Sequence, residues 1–165
     1  LGEKPTLSLI EQELTKVKQI FLNLSEKKIK EELGLWGELF LIANQKNKKI
    51  AIKSWHINPN DRIDFNTGNK KIEVKTTISN YRKHRFKLYQ LRNNYEEDVL
   101  ICSIMTNQID NGMSIQDLID QINHGLDNNL KLILKEKISR CLGSDLLSYE
   151  FKYFDYKTAS NSIRF

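Results

Sequence analysis

Residues 61–77 read DRIDFNTGNKKIEVKTT, and the expected fold is built around this stretch. Polar and apolar side chains alternate on both sides of the turn sequence NTGN at residues 66–69. Such alternation is typical of strands, because successive strand side chains point to opposite faces. Gly68 can adopt the positive φ that a tight hairpin turn favours. We therefore predict a β-hairpin whose polar face gathers two carboxylates and one amine. These groups belong to Asp64, Glu73 and Lys75.

The polar face of this hairpin has the chemistry that phosphodiester hydrolysis needs. A hard cation must polarise the phosphate, a water must lose a proton, and the leaving oxygen must be neutralised. Mg²⁺ typically takes one or two carboxylates together with waters and substrate oxygens. Asp64, Glu73 and the backbone carbonyl of Val74 are the candidate ligands. Lys75 is the candidate for holding the attacking water or stabilising the developing charge. The alternative is that Glu73 and Lys75 form a surface ion pair and Asp64 is a turn residue.

A helix is predicted before the hairpin, from Ser25 as N-cap to about residue 45. Its middle, GLWGELFLIA at residues 34–43, is apolar nearly all round, so burial is expected. Glu38 is the one charge in this run, and a buried carboxylate needs a cation or hydrogen-bond donors. We expect Glu38 to complete the metal site directly or through water; the alternative is that it reaches a helix-end amide or an arginine. Gly34 and Gly37 would let another backbone approach this turn.

The remaining pattern predicts an α/β or α+β fold with one central sheet. Residues 6–24 form an amphipathic helix with an apolar packing face, and residues 99–105 form a strand expected to lie centrally. A break is expected at the DNG sequence of residues 110–112. The other predicted elements are a strand over 48–55, a helix from Ser114 to about Gly125, a helix over 128–142 stopped by Gly143, and a last strand over 148–156.

The composition is that of a globular protein with a mild basic excess. The chain has 165 residues, which we expect to form a single domain over residues 1–165. It begins with Leu1, so it is open to being a piece of a longer chain. The formal net charge is +5, compatible with a polyanionic partner.

The cysteines and the hydropathy pattern predict a cytoplasmic protein. Cys102 and Cys141 have neither metal-ligand spacing nor a secreted disulfide pattern, so we expect free thiols in a reducing compartment. There is no signal peptide and no apolar run long enough to span a membrane.

The combination of GLWGEL at residues 34–39, IDF at 63–65 and IEVKTT at 72–77 resembles the PD-(D/E)XK nuclease superfamily, which has the restriction-endonuclease-like fold. It is similar in particular to bacterial members with a GLxGEL helix and an EVKTT strand. The resemblance implies a central mixed β-sheet flanked by α-helices, DNA as substrate, and Mg²⁺, with Mn²⁺ as a substitute, at the acidic cluster.

Carried over residue by residue, the resemblance makes Glu38 the helix acid, Asp64 the motif aspartate, Glu73 the second carboxylate and Lys75 the catalytic lysine. Gln90 matches a glutamine that often follows the core strand and contacts the water or phosphate. Two positions depart from the family pattern. Ile63 stands where the motif proline would be, and a Gln-x-x-x-Tyr motif of exonuclease-like relatives is absent.

A basic run with interleaved aromatic residues, YRKHRFK at 81–87, follows the second hairpin strand. It could line the path of the DNA backbone and neutralise phosphates, which gives salt-dependent, sequence-independent affinity. The alternative is a solvated loop. The three histidines have no ligand spacing, and both tryptophans are expected in the core. The candidate nucleic-acid contacts are Arg82, Lys83, His84, Arg85 and Lys87.

The sequence thus predicts a Mg²⁺-dependent endodeoxyribonuclease of a bacterial restriction, defence or DNA-processing system. Nucleases that act on RNA or on DNA ends are alternatives within the same fold. A non-catalytic DNA-binding or assembly module is the alternative from another class. We expect DNA as partner, no membrane, and a homodimer or a larger complex where a double-strand break is made.

Overall fold

The computed structural model describes residues 6–56, 63–68, 70–86, 99–142 and 150–165. The chain divides into two compact units, Leu1–Glu32 and Leu33–Phe165. The described residues of the candidate site all belong to the second unit. In chain order the elements are α1 (Leu7–Ala43), α2 (Lys48–Ser54), β1 (Phe65–Asn66), β2 (Lys71–Thr77), β3 (Val99–Met105), β4 (Gln108–Met113), α3 (Ile115–Asn123), α4 (Asn128–Leu142) and α5 (Tyr156–Ser162).

The fold is α/β, and in the described part of the chain a mixed sheet of three strands, in the order β1-β2-β3, is flanked by helices. β1 and β2 are antiparallel and pair Phe65 with Ile72, so the predicted hairpin is confirmed. Gly68 in its turn has φ 87°. β2 and β3 run parallel and pair Lys75 with Ser103. The strand prediction for β3 is confirmed. Among the described residues β3 pairs with β2 on one side, and on its other side Ser103 forms an isolated antiparallel bridge with Arg164.

The predicted helix start at Ser25 is wrong, because α1 continues through it without interruption. Ser25 lacks the capping-box acid, with Lys28 three residues on, so nothing compensates for ending the backbone hydrogen bonds there. Two residues of the apolar face predicted to pack have described side chains, and both are exposed. Ile10 is 43% exposed and Leu14 is 63% exposed.

The strand predicted over residues 48–55 is wrong, because this segment is helix α2. Asn47 caps it, accepting the backbone N–H of Ile50 at 3.1 Å. Ala51 and Ile52 are buried while Ile50 is exposed, so adjacent residues rather than alternate ones face the core. Two isoleucines two residues apart are compatible with a short helix as well as with a strand, and the N-cap Asn47 favours the helix.

The break predicted at residues 110–112 is also wrong, since these residues lie inside β4. Gly112 serves a different purpose there. A Cβ at this position would lie 2.4 Å from the carbonyl oxygen of Phe154, so the glycine allows close approach of the 154 backbone.

The last strand predicted over residues 148–156 is wrong in its described part. Phe154 alone forms bridges, with Gln108 and Met113. Asp155 then caps helix α5 by accepting the backbone N–H of Thr158 at 3.0 Å, which ends the extended conformation. Residues 148 and 149 lie outside the described residues.

The two predicted helices α3 and α4 are confirmed. Ser114 and Asp117 form a capping box at the start of α3, and Gly125 follows the helix with φ 84°. Gly143, the predicted stop of α4, lies outside the described residues.

The core holds both tryptophans, as predicted, with Trp36 and Trp55 at most 1% exposed. Cys102 is buried and Cys141 exposed, and both are free thiols, as expected. Among the described residues, none of the helices combines the length and the apolar character that crossing a membrane demands.

Candidate active site

Helix α1 crosses strand β2 at Gly37, in direct contact with Thr76. A Cβ at Gly37 would lie 1.8 Å from Thr76 Oγ1 and 3.0 Å from Thr76 Cβ, so no other residue fits without a shift. A Cβ at Gly34 would meet nothing within 4 Å. Both glycines were predicted to let another backbone approach; instead Gly37 lies against the side chain of Thr76, and this contact brings the next residue, Glu38, to the strand that carries Glu73 and Lys75.

The hairpin presents its charged side chains at this crossing. Asp64 Oδ2 accepts the backbone N–H of Val74 at 2.7 Å, so the aspartate is fixed against the middle of β2. Lys75 Nζ donates to Glu73 Oε1 at 2.5 Å. The Glu73 side chain is only 3% exposed, whereas that of Lys75 is 21% exposed. This ion pair is therefore largely withdrawn from solvent on the carboxylate side, unlike an ordinary surface pair.

Glu38 joins the cluster from the helix. Its Oε2 accepts the indole N–H of Trp55 at 2.6 Å. Burial, the charge of Asp64 and the charge of Glu73 raise the pKa of Glu38, while the hydrogen bond from Trp55 and the charge of Lys75 lower it, and the result is a pKa of about 8. The apolar surroundings that made Glu38 conspicuous in the sequence thus make its ionised form costly.

Asp64 is perturbed in the same direction. Burial and the charge of Glu73 raise the pKa of Asp64 to about 6, against the lowering effect of the Val74 N–H and of Lys75. Three carboxylates and one amine therefore act on one another electrostatically. Strongly raised carboxyl pKa values from burial together with like charge are frequent at functional sites. The structure brings together four predicted residues: Glu38, Asp64, Glu73 and Lys75.

Comparison with known protein families bears on this cluster. The model of the family described as "Putative PD-(D/E)XK family member, (DUF4420)" matches residues 3–165. The chain belongs to this family. The comparison with curated proteins found no match, and neither did the comparison with solved structures.

Membership of this family agrees with the mixed sheet flanked by helices. The resemblance places Asp64 at the first acidic position of the family motif and Glu73-Val74-Lys75 at its acid-x-lysine positions. In the structure these residues are joined by the hydrogen bond from the Val74 N–H to Asp64 and by the bond from Lys75 to Glu73.

The donor set of this PD-(D/E)XK chain fits a hard divalent cation. Among the described residues, no three side chains of the types His, Cys, Asp and Glu already converge as a metal site. Mg²⁺ does not require three, since one or two carboxylates with waters and phosphate oxygens suffice. Asp64 and Glu73 supply carboxylates, and their mutual repulsion with Glu38 in a buried place is what a cation would relieve.

The loop that follows β2, residues 78–86, returns to the cluster. Lys75 Nζ lies 5.6 Å from the centroid of the Phe86 ring, at cation–π distance. The Nε2 atom of His84 lies 2.6 Å from Ser103 Oγ on β3. Burial and the charges of Arg82 and Lys75 lower the pKa of His84, which keeps its imidazole neutral near pH 7.

The predicted nucleic-acid contacts of this loop fall into two groups. Arg82 donates to the carbonyl oxygens of Ser103 and Ser162 and to Ser103 Oγ, so it ties the loop to β3 and α5. Lys83 and Arg85 are exposed. Lys87 and the candidate catalytic residue Gln90 lie outside the described residues.

Sequence reasoning missed the partners of the charged residues. Trp55 was assigned to the core, which is correct, but its hydrogen bond to Glu38 was not expected. A buried indole needs an acceptor and a buried carboxylate needs a donor, so the two could have been paired on that ground. The contacts of Ser103 with Arg82 and His84 could not be predicted, because nothing in the sequence of its apolar strand marks this serine as a binding partner.

Proposed function

We propose that this protein is a Mg²⁺-dependent nuclease that hydrolyses phosphodiester bonds in DNA, acting as an endodeoxyribonuclease. One observation carries the proposal. Glu38 from α1, Asp64 just before β1, and Glu73 and Lys75 from β2 meet in one cluster that is partly withdrawn from solvent, and this burial and their charges shift the pKa values of Glu38 and Asp64. A surface ion pair on an amphipathic strand would not raise carboxyl pKa values in this way.

The carboxylates of Asp64 and Glu73, the Val74 carbonyl and Glu38 would hold the ion. When bound, Mg²⁺ would polarise the phosphate and acidify a water. The chain's own groups do the rest. The Val74 N–H fixes Asp64 before substrate arrives, and Glu73 holds the Lys75 ammonium beside the cluster. Lys75 can then donate a hydrogen bond where negative charge develops, with no reorganisation at the moment of reaction.

The exposed residues Lys83 and Arg85 are the proposed contacts to the DNA backbone, because they follow directly on the strand that carries Lys75. Arg82 and His84 support this surface by fixing the loop to Ser103. A double-strand break would need two such sites or two sequential events, which fits a homodimer or a larger restriction or defence complex.

The test is cleavage of supercoiled plasmid with Mg²⁺ or Mn²⁺, with and without EDTA. Asp64→Asn and Lys75→Ala should each lower cleavage by about 100-fold or more, since each removes a group of the reacting centre. Asp110→Asn and Lys70→Ala are matched controls, because they change the same residue types at exposed positions away from the cluster. The controls should cut like the wild type.

The other outcomes distinguish the alternatives. A wild type that binds DNA in a salt-dependent way but never cuts would replace the nuclease by a DNA-binding module. Cleavage of single-stranded RNA or of the ends of linear DNA, with the plasmid left intact, would mean that the protein is a nuclease with a different substrate. Equal activity of wild type and Asp64→Asn would refute the proposed site.

A further inference from the structure

Trp55 contacts Glu38, and the next residue, His56, contacts Asp64; these are the two acidic residues of the cluster that lie outside β2. The Trp55 indole N–H donates to Glu38 Oε2 at 2.6 Å, and its side chain is buried with the residue 1% exposed. A hydrogen bond of this length to a half-buried carboxyl group is strong, because the acceptor is ionisable and the donor indole is buried. The indole is rigid, so the bond fixes where the Glu38 carboxylate can lie.

The backbone at Trp55 holds the other acidic residue. Trp55 and Phe65 form an isolated antiparallel bridge, and the N–H of His56 donates to the carbonyl oxygen of Asp64 at 2.8 Å. The chain that ends α2 is therefore paired with the chain that carries Asp64. Two consecutive residues, Trp55 and His56, thus connect the helix acid to the hairpin acid.

Trp55 is itself anchored from a third direction. Lys137 on α4 donates to the carbonyl oxygens of Ile52 and Trp55, at the carboxyl end of α2. Its ammonium also lies 5.9 Å from the centroid of the Trp55 ring. A cation at a helix carboxyl end is favourable, because it neutralises the carbonyl charges there. This anchor leaves the indole little freedom to follow Glu38 if Glu38 moves.

We propose that Trp55 is a positioning residue of the metal site: its indole N–H holds Glu38, its bridge to Phe65 together with the adjoining His56 N–H holds Asp64, and the two acidic residues are thereby kept at a fixed separation before an ion binds. The inference rests on the proposed metal-dependent function. It predicts that removing the indole N–H weakens metal binding through Glu38, because partners of this kind fix the orientation of ligating groups.

The test is a calorimetric titration with Mn²⁺ of the wild type, Trp55→Phe, Glu38→Ala and the double variant. Trp55→Phe should weaken Mn²⁺ binding about 10-fold, in the range seen when a ligand's hydrogen-bond partner is removed. In the Glu38→Ala background, Trp55→Phe should have no further effect, because there is no carboxylate left to position. A merely structural role of Trp55 would weaken binding equally in both backgrounds, which would overturn the proposal.

Trp36 provides a matched control. It is equally buried, and its indole N–H donates to the Met113 carbonyl at 2.8 Å rather than to a carboxylate. Trp36→Phe therefore makes the same chemical change in the same core and should leave Mn²⁺ affinity within about twofold of the wild type. An equal loss of affinity in Trp36→Phe and Trp55→Phe would attribute the effect to general loosening of the core and would refute the positioning role.

A second measurement serves if Trp55→Phe does not fold. The chain has two tryptophans, so Trp36→Phe leaves Trp55 as the sole tryptophan, whose emission is excited selectively at wavelengths that tyrosine does not absorb. Its fluorescence should be quenched in step with Mn²⁺ binding, and Glu38→Ala should remove most of that response. Saturation with Mn²⁺ that leaves the emission unchanged would overturn the proposal.

These readouts separate the inference from the proposed function. Mn²⁺ binding with the expected coupling but no plasmid cleavage would refute the nuclease and leave the positioning role standing. Plasmid cleavage with no coupling between Trp55 and Glu38 would support the nuclease and refute the positioning role. A wild type that binds no Mn²⁺ would overturn the inference.

Discussion

The carboxyl group of Glu38 is expected to lower the stability of the metal-free protein while serving its proposed activity. Its pKa is raised to about 8, so above that pH the metal-free protein carries an ionised carboxylate that its surroundings disfavour. Glu38→Gln keeps an acceptor for Trp55 and removes the ionisable group. We expect it to raise the free energy of unfolding at about pH 8.5 by roughly 2–4 kcal/mol in EDTA, while metal-dependent cleavage falls by at least about 10-fold. Chemical denaturation and the plasmid assay measure the two effects.

Glu136→Gln is the control for this gain, because Glu136 is exposed on α4. It should change the free energy of unfolding by less than about 0.5 kcal/mol and leave cleavage intact. A Glu38→Gln variant that is less stable than the wild type at high pH would mean that the carboxylate is better solvated or better paired than its surroundings indicate.

Single residues differ in how far the sequence could locate them. Glu38 stood out because a charge inside an apolar helical run needs a compensating partner. Asp64, Glu73 and Lys75 followed from strand periodicity and from the family resemblance. Trp55 did not, because its role depends on α2 being a helix that ends against α1, and two isoleucines at 50 and 52 predicted a strand instead.

At the scale of elements, the crossing of α1 over β2 decides whether the cluster forms. Gly37→Ala would place a methyl group 3.0 Å from Thr76 Cβ, so helix and strand would have to separate. We expect a loss of about 1–3 kcal/mol of stability, as for other overpacked contacts, and a fall in cleavage because Glu38 moves away from Glu73. Thermal unfolding and the plasmid assay check both.

Gly34→Ala is the matched control on the same helix. Nothing lies within 4 Å of a Cβ at Gly34, so the alanine should only gain helix propensity and stabilise the protein by about 0.5–1 kcal/mol. If both substitutions stabilised and both variants cut DNA, the contact between Gly37 and Thr76 would not be what holds Glu38 in place.

Elements with their own local signals were predicted, and those decided by tertiary contacts were not. Ser114 and Asp117 cap the start of α3, and Gly125, with positive φ, follows its end. Gly68, also with positive φ, lies in the turn of the hairpin. In contrast, residues 110–112 look like a break until Phe154 is found against Gly112. The prediction of a strand over 148–156 was wrong in its described part, because Asp155 caps a helix and this local signal is stronger than a few residues of alternating polarity.

The loop over residues 78–86 is the element through which DNA affinity can be tested. Lys83→Ala with Arg85→Ala removes two exposed cations and leaves the ties of Arg82 and His84 to Ser103 in place. We expect the slope of log Kd against log salt concentration to fall by roughly 2, about one for each lost phosphate contact. Fluorescence anisotropy with a labelled duplex measures it.

Lys49→Ala with Lys53→Ala makes an equal change of net charge on the exposed side of α2. This control should leave the slope within about 0.5 of the wild type, because it removes no proposed phosphate contact. Equal slopes for both double variants would show that DNA senses only the net charge of the chain.

At the scale of the whole chain, the cluster makes stability depend on pH. Glu38 ionises with a pKa of about 8 in the folded state against an ordinary value of 4.5, and Asp64 with about 6 against 3.8. Between about pH 4 and pH 8 the folded chain therefore binds more protons than the unfolded chain. Their contribution to stability is full below about pH 4 and is lost as the pH rises to about 8. The lowered pKa of His84 acts in the opposite direction around its ordinary 6.5.

A divalent cation should reverse this dependence, because it replaces the protons that hold the carboxylates together. In EDTA we expect the melting temperature to fall between about pH 5 and pH 8.5, and Glu38→Gln to flatten most of that fall. Saturating Mn²⁺ should stabilise the wild type by about 2–4 kcal/mol at about pH 8.5 and by much less at pH 5, where protons compete for the ligands. Mn²⁺ stabilisation that is equal at both pH values, or that survives Asp64→Asn, would place the ion elsewhere on the chain.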